Sequence, residues 1–230
     1  MRKVLAFVVL ACVCTLLGVS TLQADAVLLG DSHQSPYTSG TFVYFGGAAQ
    51  QFHLNRSVLL TQINIGVASD SWLPDQIYLF QLSTRLGPDT SAEDVLMSFT
   101  TTNGFGIPSS LINPGQMPSY LSFPVPSVEI DPGTYYLTDA LIVNHPPGDT
   151  GGSLWYGTAP LNSSIGSLGQ AYGLYPVDTS NPAASLYQPL QVSPLDFQLV
   201  GHTVPEPASW MLIIPGLFSL ILLRKKCSAP

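Results

Sequence analysis

Leu59-Leu60-Thr61-Gln62-Ile63-Asn64-Ile65-Gly66-Val67-Ala68 is the stretch on which the fold turns. Ile63, Ile65 and Val67 fall on one side of an extended chain, and Gln62, Asn64 and Gly66 fall on the other. That two-residue period belongs to a half-buried strand. The next run, 76–82, sets Ile77, Leu79 and Gln81 against Tyr78, Phe80 and Leu82. Apolar side chains on nearly both faces predict a strand with neighbours on each side. Further short apolar runs at 41–45, 51–54, 95–100, 120–125, 134–143, 153–156, 171–175 and 195–201 are bounded by Gly, Pro, Asn, Asp and Ser, the residues that punctuate strands. Sixteen prolines lie between residues 27 and 203 and leave room for one helical turn, near 90–96. The pattern predicts an all-β protein with a β-sandwich or jelly-roll core.

The chain has 230 residues, a length suited to one domain with appendages. Only 9% of residues are charged and 46% are hydrophobic, which excludes a solvated disordered chain. The charges are unevenly placed. Arg2, Lys3, Arg224, Lys225 and Lys226 are terminal, and residues 27–203 hold only Arg56 and Arg85 against 12 acidic residues, a formal charge of 2 − 12 = −10. Such a surface cannot neutralise phosphates, so no nucleic-acid partner is expected. Cys12, Cys14 and Cys227 are also terminal, so residues 27–203 can form neither a disulfide nor a thiolate site.

The ends read as addresses. Arg2 and Lys3 precede an uncharged run, 4–17, and the small-residue site Ala24-Asp25-Ala26 follows. Together these predict a secretory signal helix over 1–26, cleaved to leave Val27 first. The run is shorter than the roughly 20 residues of a membrane span. At the other end Pro205-Glu206-Pro207 is followed by sixteen uncharged residues, 208–223, and then by Arg224-Lys225-Lys226. Sixteen helical residues reach about 24 Å, somewhat short of a hydrocarbon core of about 30 Å. This predicts a marginal C-terminal transmembrane helix, with the basic cluster held on the cytoplasmic side. The expected organisation is therefore a signal peptide at 1–26, a β-sandwich domain at 27–203 and a sorting and anchor segment at 204–230.

The tail resembles the PEP-CTERM sorting signal of Gram-negative bacteria: Pro205-Glu206-Pro207, an apolar run with Trp210 early in it, then Arg224, Lys225 and Lys226. The resemblance implies recognition by an exosortase, a membrane-embedded cysteine transpeptidase, with cleavage near the Pro-Glu-Pro. It further implies a transient membrane anchor and a destination in the envelope or in an exopolysaccharide biofilm matrix. The core loosely resembles the choice-of-anchor β-sandwich domains that precede such tails. That likeness rests on a strand pair at 59–68 and 76–82, on Ile130-Asp131-Pro132-Gly133-Thr134-Tyr135-Tyr136-Leu137, and on Ser153-Leu154-Trp155-Tyr156-Gly157.

Catalytic signatures are not found. The core has no Gly-x-Ser-x-Gly elbow, no His-Glu-x-x-His pair and no phosphate-binding Gly-Lys-Ser/Thr loop. His33, His53, His145 and His202 are scattered. Glu93 and Glu129 are the only glutamates of the core, and a glycosidase would need two carboxylates facing one cleft. Asp70 and Asp75 flank one loop and offer oxygen ligands for weak calcium binding, but no ordered calcium-loop spacing is present, so solvated turn aspartates and no cofactor are the expectation. Trp72 lies between them, and Trp155-Tyr156 borders a Gly-rich turn; exposed aromatic faces of this kind stack on sugar rings. The expectation is an exported, exosortase-processed and non-enzymatic protein with a structural or adhesive role. The alternatives are a carbohydrate-binding module and a polysaccharide hydrolase.

Overall fold

The computed structural model describes residues 24–30, 39–43, 47–69, 78–100, 120–141, 153–157, 163–174, 180–191 and 194–204. Thirteen strands are present among them: β1 Ala26–Gly30, β2 Ser39–Val43, β3 Gly47–Leu54, β4 Val58–Ile65, β5 Val67–Ser69, β6 Tyr78–Ser83, β7 Val95–Thr100, β8 Leu121–Ile130, β9 Gly133–Leu141, β10 Ser153–Gly157, β11 Gly166–Leu174, β12 Tyr187–Pro189 and β13 Phe197–Thr203. All pairings between them are antiparallel.

They form a four-stranded sheet, β1-β13-β4-β8, a six-stranded sheet, β12-β11-β3-β9-β6-β7, and a three-stranded sheet, β2-β10-β5. The first two face each other. Phe52 of β3 lies 5.3 Å from Phe197 of β13, centroid to centroid, and 5.6 Å from Tyr135 of β9. Further along the same interior, Phe123 of β8 packs 4.6 Å from Phe99 of β7 and 5.3 Å from Phe80 of β6. Leu54, Leu60, Ile63, Ile65, Leu82, Leu137 and Leu199 fill the space between these aromatic clusters and are fully buried. The all-β, two-sheet sandwich expected from the alternating pattern is what these residues build.

The deciding stretch departs from its expected form. Residues 59–68 do not make one strand: β4 ends at Ile65, and β5 begins at Val67 in another sheet. The break is at Gly66, whose N–H donates to the Asp196 carbonyl at 3.0 Å. A Cβ at Gly66 would stand 2.5 Å from the Asp196 carboxylate, so only glycine lets that side chain lie against the backbone here. Within β4, Thr61 is an extra residue relative to β13, where Val200 pairs with Gln62 and Gly201 with Leu60. This bulge lets Leu60 share the inner face with Ile63 and Ile65 despite its opposite parity.

The anticipated pairing of 59–68 with 76–82 also gives way. β4 pairs with β13 and β8, whereas β6 lies between β9 and β7 in the facing sheet. The internal position read for β6 from its two apolar faces holds. Asp131-Pro132 carries the chain from β8 to β9, and so from one sheet to the other, as a corner rather than a hairpin. Tyr135 Oη donates to the Asp131 carbonyl at 2.7 Å and braces that corner. The single helical turn read near 90–96 is a 3₁₀ turn at Ala92–Asp94. Its Asp94 carboxylate accepts from the Ser91 N–H at 2.8 Å and from the Ser91 hydroxyl at 2.9 Å.

Among the described residues no helix is long and apolar enough to cross a membrane. Of the signal helix expected over 1–26, residues 24–26 are described and are not helical, Ala26 opening β1; the rest of it and the expected C-terminal helix lie outside the described residues.

Candidate functional site

The outward face of the six-stranded sheet carries the most developed cluster of side chains suited to recognition. Alternation along β3 sends Phe52 and Leu54 into the core and leaves Gln51 and His53 on the other side. The register places Tyr136 opposite Gln51 and Thr134 opposite His53 on β9. On β11, Ser167 is opposite His53 and Tyr172 is opposite Ala49. Tyr136 and Tyr172 thus flank β3 on a diagonal, with ring centroids 6.3 Å apart and planes inclined at 60°. Ala49, the β3 residue opposite Tyr172, carries only a methyl group and is fully buried, which leaves room for the rings to approach.

Glutamines hold this arrangement in place. Gln51 Nε2 donates to Tyr136 Oη at 3.0 Å, and Gln51 Oε1 accepts from the Gln170 N–H at 3.4 Å. β11 is irregular between Leu168 and Ala171, and the irregularity is pinned from both sides. Gln50 Nε2 donates to the Gly169 carbonyl at 3.0 Å, and Gln170 Nε2 donates to the Leu190 carbonyl at 2.6 Å. His53 Nδ1 lies 3.3 Å from Thr134 Oγ1 at the exposed end of the cluster. Burial raises the Tyr172 phenol above its usual range, with Tyr136 adding to the shift, so its hydroxyl is a neutral donor at physiological pH.

Gln51, Thr134, Tyr136, Ser167, Gln170 and Tyr172 are all uncharged. Two half-exposed rings beside amides and hydroxyls can stack on the C–H face of a sugar and hydrogen-bond its hydroxyl groups. Further across the same face, Pro182–Ala184 packs over β9 and β6, where the Ala183 N–H donates to Gln81 Oε1 at 3.1 Å. At the β7 edge of the sheet a groove of about 370 Å³ is lined by Gln81, Ala92, Val95, Met97, Ser98, Ser180 and Asn181, again without charge.

The residues expected from sequence are distributed differently. Trp155 and Tyr156 sit in β10, the middle strand of the three-stranded sheet, with Trp155 opposite Thr41 and Val67. Asp70, Trp72 and Asp75 lie outside the described residues, but the preceding residue, Ser69, pairs with Ser153 of the same β10. The backbone therefore brings Ser69, the residue before Asp70, to the strand that bears Trp155.

Among the described residues no three His, Cys, Asp or Glu side chains cluster as metal ligands. The Asp94 carboxylate is engaged by the Ser91 N–H and hydroxyl. Glu93 precedes β7, whereas Glu129 lies exposed on β8 in the other sheet. The sorting residues Pro205, Glu206, Pro207, Arg224, Lys225 and Lys226 lie outside the described residues. Of the cleavage residues, Ala24 is exposed ahead of β1, and Ala26 begins that strand.

Sequence reading missed the Gln51, Tyr136 and Tyr172 cluster. Its signal lay in Gln51-Phe52-His53 and Thr134-Tyr135-Tyr136, where alternation places one aromatic inside and the next polar or aromatic side chain outside. Which strands would be neighbours was not written in either stretch. Compared with family models, with curated proteins and with solved structures, the chain matches none.

Proposed function

We propose that this protein is an exported, non-enzymatic component of the bacterial envelope or exopolysaccharide matrix. Its sandwich adheres to uncharged polysaccharide, and an exosortase processes its tail at Pro205-Glu206-Pro207. The observation that carries the adhesive part is the Tyr136, Gln51 and Tyr172 platform, an uncharged aromatic surface on a core of charge −10. An acidic protein repels anionic polymers at long range, and a neutral aromatic face selects ligands by stacking and hydroxyl hydrogen bonds.

The strand order supports a jelly roll as the finer description. β1-β13-β4-β8 faces β3-β9-β6-β7, with β11 and β12 added beyond β3. Eight antiparallel strands in two such sheets are the jelly-roll plan, which serves binding in lectin domains. A second reading places the sugar contact at Trp72, Trp155 and Tyr156, with calcium at Asp70 and Asp75. The Ser69 to Ser153 pairing favours it by placing the residue before Asp70 beside the strand that bears Trp155.

Affinity electrophoresis through gels containing hydroxyethylcellulose or the anionic polymer alginate separates the readings. Retardation in the neutral gel that is lost in Tyr136→Ala/Tyr172→Ala supports the platform. Loss only in Trp72→Ala/Trp155→Ala moves the site, and no retardation by either polymer rejects adhesion to glycan. The sorting part is tested by mass spectrometry of the protein from a host with an active exosortase, where an intact tail through Pro230 rejects it.

A further inference from the structure

The residues predicted to form the signal-peptidase site are partly built into the folded core. Asp25 Oδ2 accepts a hydrogen bond from Thr61 Oγ1 at 3.0 Å. On its other side Asp25 Oδ1 lies 3.4 Å from His202 Nδ1. Thr61 is the bulged residue of β4, and its single hydroxyl hydrogen is shared between Asp25 and the Val200 carbonyl 3.1 Å away, so Asp25 closes a contact among β4, β13 and the entry to β1. Ala26 is the first residue of β1 and pairs with Gly201. Ala24, two residues earlier, is exposed.

A cut after Ala26, the position that Ala24-Asp25-Ala26 points to, would discard Asp25 with both its contacts and remove one residue pair from β1. A cut after Ala24 leaves the whole strand and its acidic anchor in the mature chain. Both positions put alanine directly before the scissile bond; the third residue before it is Leu22 for a cut after Ala24 and Ala24 for a cut after Ala26.

We infer that signal peptidase cleaves between Ala24 and Asp25, so that the mature protein begins at Asp25. This inference rests on the export reading above. In the step, the Ala24–Asp25 amide C–N bond breaks and one water is consumed. Its hydroxyl goes to the Ala24 carbonyl carbon and its hydrogen to the Asp25 nitrogen, giving a carboxylate on the released peptide and an ammonium on the mature chain. Asp25 then opens the mature chain with its carboxylate already engaged by Thr61 and His202.

The test is production of the full-length chain in a Gram-negative host, followed by Edman sequencing and intact-mass measurement of the exported protein. A mature chain starting Asp-Ala-Val supports the inference. A start at Val27, or at any other cleaved position, overturns it while leaving export intact. An uncleaved chain overturns the export reading together with it. The Ala26→Leu variant sharpens the distinction, because leucine there blocks a cut after residue 26 but occupies the second position beyond a cut after residue 24. Processing unchanged from the parent is the expected result, and accumulation of precursor overturns the assignment.

Discussion

Ala26 and Gly201 stand opposite each other in the antiparallel pairing of the first strand with the last. The start of β1 and the end of β13 therefore lie side by side, and the Val204 N–H continues the order by donating to the Ser57 carbonyl at 3.1 Å. Whatever precedes Ala24 and whatever follows Val204 depart from the same end of the sandwich. The platform of Gln51, Tyr136 and Tyr172 lies on the other sheet, facing away from that pair.

Phe52 joins the two sheets through Phe197 while stacking on Tyr135. Phe52→Ala removes a fully buried ring from a closely packed interior and is expected to cost about 3–5 kcal/mol. Urea unfolding followed by tryptophan fluorescence measures it. A loss below about 1 kcal/mol would mean that the sheets are not joined there.

Gly30 has a φ of 104°, in the left-handed region, and a Cβ added there would overlap the Phe197 carbonyl oxygen. Gly30→Ala is expected to loosen β1 from β13 at a cost of roughly 1–3 kcal/mol. Hydrogen exchange should speed up at Leu29 and Leu199 before the rest of the sandwich, and uniform exchange would contradict this.

Tyr120 Oη donates to Asp196 Oδ1 at 2.9 Å, and Asp196 is fully buried beside Gly66. Tyr120→Phe keeps the ring but withdraws a donor from a buried carboxylate, with an expected loss of about 1–3 kcal/mol. Thermal unfolding of the two proteins at one pH tests this, and equal midpoints would show that the hydroxyl is dispensable.

Tyr187 gives stability a pH limit on the alkaline side. Burial of its hydroxyl pushes the phenol far above its ordinary value of 10.0, Asp139 adds to the shift, and a hydrogen bond with Thr138 opposes it. The folded state thus keeps the proton that the unfolded state releases. The contribution is whole below pH 10 and is lost as pH rises through and beyond that value. Stability measured from pH 8 to 11 should fall less steeply in Tyr187→Phe than in the parent.

Asp94 acts on the acid side. The hydrogen bonds from Ser91, backbone first and hydroxyl second, hold its carboxyl below the ordinary value of 3.8, with Arg85 assisting. Its contribution is present above 3.8 and declines as pH falls through the lowered folded value. Asp94→Asn is expected to flatten the acid limb slightly, because the group is exposed. An unchanged slope between pH 2 and 5 would remove the cap from the account.

Strand existence was legible wherever one face is buried. The run at 95–100 matches β7 residue for residue, because Val95, Met97 and Phe99 face inward while Leu96, Ser98 and Thr100 face out. β1 and β12 were not anticipated. β1 falls across the expected cleavage site, and β12 is three residues long, ends in Pro189 and has too few side chains to show a period. The split at Gly66 was hidden because alternation continues through it, and only the Asp196 carboxylate, 130 positions later in the chain, explains the turn from one sheet to another.

The candidate site divides in the same manner. Local sequence places Gln51 and Tyr136 on outward faces, since the inward positions beside them are Phe52 and Tyr135. It cannot bring them together, because strand neighbours are set by which buried surfaces fit across the whole core.

By itself, then, the sequence determined an all-β, acidic and thiol-free core and, for half-buried strands such as β7, which side chains face inward, because side-chain alternation and charge are local properties. Tertiary structure alone decided that β4 and β6 belong to opposite sheets, that the rings of Tyr136 and Tyr172 meet, and that Asp25 is held by Thr61 and His202. Each of those contacts joins residues between 36 and 177 positions apart, and only packing of the closed sandwich brings such distant segments within hydrogen-bonding range.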